Sequence, residues 1–158
     1  MIYVQNEDGE YLPAPKETVI SEAKRLLKYQ LRRGSTIRNS TDAKEAIHHI
    51  LMEYQCEMFG CLFLDNQYRV LAFKEMFRGT INSATVHPRE IAKEALQLNA
   101  AAVILAHNHP SGVVDPSVND IELTAKLKEI LLIIDVRVLD HLVIGDTTLS
   151  MADAGYLS

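Results

Sequence analysis

His107 and His109 stand two residues apart, just beyond an apolar run, Ala101-Ala-Val-Ile-Leu-Ala106. In an extended strand, residues i and i+2 project to the same face. Both imidazoles can therefore aim at one point past the strand end. Gly112 and Pro116 punctuate the loop that follows, and Ser117-x-x-Asp120 closes it. Such a loop can return the Asp120 carboxylate to the two histidines. Two neutral imidazoles and a carboxylate, with a fourth position open to water, make the ligand set of a catalytic zinc ion. Manganese or iron would also suit it. Ser117-x-x-Asp120 precedes a helical stretch, Ile121 to Leu132, so it also reads as a helix cap with Asp where Glu or Gln is more usual. The two readings are compatible, because a capped helix holds a ligand rigidly.

The wider wording, His107-Asn-His-Pro-Ser-Gly112 followed by Pro116-Ser-x-x-Asp120, resembles the JAMM signature of the JAB/MPN metalloprotease superfamily, and within it the RadC family. Supporting stretches are Phe63-Leu-Asp65, Gly79-Thr80, Val86-His-Pro-Arg-Glu-Ile91, Asn99-Ala-Ala-Ala102 and Leu139-Asp-His-Leu-Val-Ile-Gly145. The resemblance implies a three-layer α/β fold with a mixed β-sheet, similar to cytidine deaminase. It implies one zinc ion per chain on His107, His109 and Asp120. It implies a general base, a Glu ahead of the His-x-His near the start of a strand. Glu57, directly before Met58-Phe-Gly-Cys-Leu-Phe-Leu64, matches that position, and Glu75 is the alternative. Ser117 carries over as the hydroxyl that steadies the oxyanion of a tetrahedral intermediate. The activity implied is hydrolysis of a peptide or isopeptide bond in a protein substrate.

These residues need a scaffold, and the composition supports one. The chain has 158 residues, 47% hydrophobic and 23% charged, enough for a single sizeable core. A net charge of −5 argues against bulk attraction to nucleic acid, though not against a local basic patch. No apolar run is as long as a membrane span, and no secretory signal is visible. Cys56 and Cys61 form no Cys-x-x-Cys pair and read as reduced thiols, so the expected compartment is the cytoplasm.

Residues 1–39 read as a leader and 40–158 as the metal-binding body. Met1 to Pro15 is expected to be a flexible lead-in. Lys16 to Arg33 reads as an amphipathic helix with a basic face of Lys24, Arg25, Lys28, Arg32 and Arg33. That face could make a weak nucleic-acid contact, although such faces are more often simply solvated. Its apolar stripe needs cover from the body or from a second subunit, so an oligomer is open. A helix starts near Ser40-Thr-Asp42, with Ser or Thr as the cap. Strands follow at Met58 to Leu64 and Tyr68 to Phe77, and a helix at Pro88 to Leu98. Val136 to Leu139 and Leu142 to Ile144 read as two strand pieces, and Thr147 to Ser150 closes a hairpin. His141, beside Asp140, reads as a core histidine, with a supporting role behind a metal ligand as the alternative.

Two function classes remain. One is the zinc-dependent hydrolase. The other is a DNA repair-associated binding module without turnover, since RadC-like proteins commonly carry that label. Longer members have a helix-hairpin-helix region ahead of the JAMM domain, and residues 1–39 contain no recognisable Gly-rich hairpin, so that device is expected to be absent. A deaminase is excluded, because no Pro-Cys-x-x-Cys follows the histidines.

Overall fold

The computed structural model describes residues 1–81 and 85–157. The first fifteen residues, expected to be a flexible lead-in, hold a two-stranded antiparallel hairpin, β1 (Tyr3–Gln5) and β2 (Tyr11–Pro13). Gly9, at φ +84, supplies the turn, and Asn6 accepts the Glu10 amide through its side chain. α1 (Lys16–Gln30) follows and stops three residues short of the expected end. Its apolar stripe is only partly covered: Ile20, Leu26 and Tyr29 remain exposed.

α2 (Ser40–Leu51) is capped by Asn39, whose side chain accepts the Asp42 amide. The cap therefore lies one residue before the expected Ser or Thr. Asn serves this role as well as either, because its short side chain reaches back to the free N–H groups. Ala43, Ala46, Ile47, Ile50 and Leu51 form the buried stripe.

β3 (Met58–Leu64) and β4 (Val70–Arg78) pair antiparallel across the Asp65 turn. Asp65 accepts the Gln67 and Arg69 amides, and Tyr68 takes φ +58. α3 (Pro88–Gln97) begins at a proline, whose missing N–H costs nothing there. β5 (Ala102–Asn108), α4 (Val118–Ile133), β6 (Arg137–Ile144) and β7 (Thr148–Ser150) complete the chain. The sheet order is β4-β3-β5-β6-β7. Only β5 and β6 run parallel, joined by a crossover through α4, and the other neighbours are antiparallel.

The architecture is α/β in three layers. One sheet face packs Leu62, Leu64, Ala102, Ile104, Leu142 and Ile144 under α2. The opposite face packs Phe59, Cys61, Phe63, Val103 and Leu105 under α3 and α4. β3 and β5 are buried along their whole length, which explains why they read as continuous apolar runs rather than alternating ones. Among the described residues, no helix is long and apolar enough to cross a membrane.

β6 departs from the expectation of two separate pieces. It is one strand with a one-residue register shift: Val103 pairs with Val138, but Ile104 pairs with Asp140. Leu139 is the additional residue. A bulge of this kind reverses which face the later side chains occupy. Val138 and His141 therefore share a face, the one that carries His107.

Candidate metal centre

β5 ends two residues later than the apolar run alone suggested and includes His107. His107 is fully buried and His109 partly so. Their side chains leave the strand end on one face, as the i, i+2 spacing requires. Asp120 comes back to them from the first turn of α4. The loop between makes this return by close packing against the β6–β7 turn. Gly112, at φ +88, accepts the Asp146 amide at 2.9 Å, and a side chain at Gly112 or Gly145 would collide with that turn or with the Gly112 carbonyl.

His107, His109 and Asp120 bring one ligand atom each to within 4.8 Å of one another. The two Nε2 atoms are 2.9 Å apart, and they lie 3.3 and 3.2 Å from the Asp120 carboxylate oxygens. The His109 Nδ1 sits 2.7 Å from the Val113 carbonyl oxygen, which can only accept. Nδ1 therefore carries the proton, and the Nε2 of neutral His109 presents a lone pair to the cluster. Three electron-rich atoms meeting in a largely buried space require a cation between them, either a proton or a metal ion. The donor set, the inward lone pair and the spacing fit a divalent ion such as zinc.

The titration behaviour expresses the same demand. The Asp120 carboxylate, assisted by the Val113 carbonyl and the charge of Glu57, raises the His109 pKa against the opposing effect of burial. Burial alone would favour the neutral acid at Asp120, but hydrogen bonds from His107 and His109 hold its carboxyl well below the usual carboxylate range.

Ser117 is the N-cap of α4. Its Oγ accepts the Asp120 amide at 3.0 Å, and its own amide donates to Asp120 Oδ2 at 2.8 Å. The capping box is complete, with Asp at the third position. Asp120 thus serves the cap and the cluster at once. The Ser117 hydroxyl hydrogen is left over, and the residue is exposed.

Glu57 lies just ahead of β3. Phe59 pairs with His107, so Glu57, two residues earlier, falls at the same sheet end as His109. Its Oε2 accepts the Ile81 amide at 2.6 Å, and its carbonyl accepts the Gly79 amide. It stands outside the three converging atoms but within electrostatic reach of His109. Glu75 is exposed on β4, where the Tyr54 hydroxyl donates to it at 2.5 Å.

Asn108 gains a role that the sequence reading did not give it, and His141 takes the core place together with the alternative one. Asn108 stands between the two histidines of the motif. It is buried, and it ties the segment carrying Glu57 to β5: its Oδ1 accepts the Met58 amide at 2.6 Å, and its Nδ2 donates to the Tyr54 and Cys56 carbonyls. The alternation along β5 turns it away from His107 and His109 and towards that segment. His141 is a buried histidine, as expected, but it also contacts His107, its Nε2 lying 2.7 Å from the His107 Nδ1. Burial keeps His141 neutral well below its ordinary pKa. A cleft of about 440 Å³, lined by Glu53, Tyr54, His109, Pro110, Gly145 and Asp146, opens beside the cluster.

A mixed five-stranded sheet between helices, with His-x-His at the end of its middle strand, is the layout of a JAB domain. The RadC-like JAB domain family matches residues 37–156, and the chain belongs to that family. A UPF0758 protein of Thioalkalivibrio sulfidiphilus is 48% identical over 144 residues, covering 91% of this chain and 65% of the relative. One from Nitrosococcus oceani is 51% identical over 142 residues, covering 89% of this chain and 63% of the relative. A UPF0758 protein of Vibrio cholerae is 47% identical and covers 91% of both chains. The chain therefore spans a little under two thirds of several relatives and nearly all of another.

Proposed function

We propose that this chain is a zinc-dependent metallohydrolase that cleaves a peptide or isopeptide bond in a protein substrate. The convergence of His107, His109 and Asp120 carries this reading. When bound, zinc supplies a Lewis acid that acidifies a water and polarises a carbonyl. Glu57 is the general base: it takes a proton at its carboxylate and returns it to the leaving amine. The Ile81 amide holds one of its oxygens, which aims the carboxylate and leaves the other for proton transfer. Ser117 donates its remaining hydroxyl hydrogen to the oxyanion that forms on the substrate carbonyl.

Nucleic acid has less support as a partner. Lys24 on the basic face is already paired with Glu53, and Arg25 is paired with Glu22. The test is a panel of peptide and isopeptide substrates offered to the zinc-loaded protein and to Glu57→Gln. Cleavage by the first, with loss of cleavage but not of zinc in the second, supports the reading. No cleavage of any substrate by a protein that holds its zinc would favour a binding module.

A further inference from the structure

His107 Nε2 can serve as a ligand only if the ring's proton sits on Nδ1. Nothing in the ligand set itself enforces that tautomer. His109 has the Val113 carbonyl to do so. His107 has another imidazole behind it, and an imidazole nitrogen can either donate or accept.

The direction is decided one step further back. His141 Nδ1 lies 2.5 Å from Thr124 Oγ1, and Thr124 Oγ1 lies 2.6 Å from the Asp120 carbonyl oxygen, one helical turn earlier in α4. That carbonyl can only accept, so it takes the single hydroxyl hydrogen of Thr124. The Thr124 oxygen then accepts from His141 Nδ1–H. His141 Nε2 is left with a lone pair and accepts from His107 Nδ1–H. The His107 Nε2 lone pair then faces the cluster.

We propose that Thr124 and His141 form a buried hydrogen-bond relay that sets His107 in its cation-binding tautomer. The relay starts and ends on Asp120, whose carbonyl anchors it and whose carboxylate faces the ion. Thr124, His141, His107 and Asp120 are all buried, and the Phe59 ring stands edge-on to His141 at 5.5 Å. No solvent route is needed to complete the chain, and each member has its partner. The Leu139 bulge brings His141 to this face. Thr124 and His141 are positioning residues, acting on the ion through His107.

The inference rests on the cluster being a cation centre, and the test separates the two. Zinc affinity is measured by competition with a chromogenic chelator for the wild type, Thr124→Val and Thr124→Ser. Valine keeps the branched shape but removes the hydroxyl, and serine restores the hydroxyl without the methyl. We expect zinc binding about 10- to 100-fold weaker in Thr124→Val, the usual cost of losing such a partner, and recovery in Thr124→Ser. Equal affinity in all three would overturn the relay while leaving the centre intact. No zinc binding by the wild type would overturn the centre itself. If Thr124→Val does not fold, the ring ¹⁵N–¹H correlations of the zinc-loaded wild type decide. A proton on His141 Nδ1 supports the relay, and a proton on His141 Nε2 overturns it.

Discussion

Asp120 takes part in two structures at once, and the consequences of changing it, or its neighbours, can be separated. Its Oδ2 accepts the Ser117 amide while also facing His109. Ser117→Ala removes the cap and the hydroxyl together. We expect it to cost about 1 kcal/mol of stability, as cap losses do, and about a hundredfold to a thousandfold in turnover. Thermal unfolding and steady-state kinetics on one preparation read both, and a stability loss with unchanged turnover would leave Ser117 as a cap alone. Glu57→Gln should lower turnover by about a hundredfold or more with zinc content unchanged. Retained activity would transfer the base role to Glu75, which the Tyr54 hydroxyl already engages. The metal-free protein also has a defined pH dependence. His109 has a raised pKa, so its contribution to stability is complete below the ordinary imidazole value of 6.5 and is lost as pH rises through the raised value. Asp120 has a depressed pKa, so its contribution is present above the ordinary carboxyl value of 3.8 and is lost in stronger acid. The pair therefore contributes most between those values. The melting temperature of the chelated protein should fall as pH rises above 6.5, and zinc should restore it there. A flat profile would mean that the two groups do not interact as described.

Elements place these residues, and the sequence revealed some placements better than others. The His-x-His spacing on a strand end and the Ser-x-x-Asp cap were readable, because each depends on local geometry over two or three residues. β3 and α3 were readable for the same reason: a continuous apolar run and a proline at a helix start are local signals. The Leu139 bulge was not, because nothing in Val136 to Ile144 marks an inserted residue; the shift exists only against the register of β5. Sequence alone favours the core for His141 and leaves a place behind a metal ligand as the alternative; the bulge turns the ring to the face of His107. Asn108 was hidden in a similar way. Its neighbours in sequence are the two histidines of the cluster, but its partners are fifty or more residues away, in the segment before β3 and at its start. Asn108→Ala leaves the Met58 amide and two carbonyls without this partner. We expect a stability loss on the order of 1–3 kcal/mol for each group left unsatisfied. Because that segment carries Glu57, turnover should fall as well, while zinc affinity changes little. Wild-type turnover in that variant would show that the strap does not aim the base.

At the scale of the molecule, α2 packs on one sheet face and α3 and α4 on the other, with the cluster at the end of the middle strand. The N-terminal hairpin stands apart in character: Tyr3, Tyr11 and Leu12 are exposed, and its β-pairing is internal. Removing residues 1–15 should leave zinc binding unchanged, which a metal titration of the shortened protein would check. A body built around a metal ion should keep it through gentle purification. Elemental analysis of the purified wild type and of His109→Ala reads this. About one zinc per chain in the wild type, absent from a folded His109→Ala, is the expected result. No metal in the wild type, even after zinc is supplied, would contradict the account and leave His107, His109 and Asp120 as a proton-bridged cluster beside a capped helix.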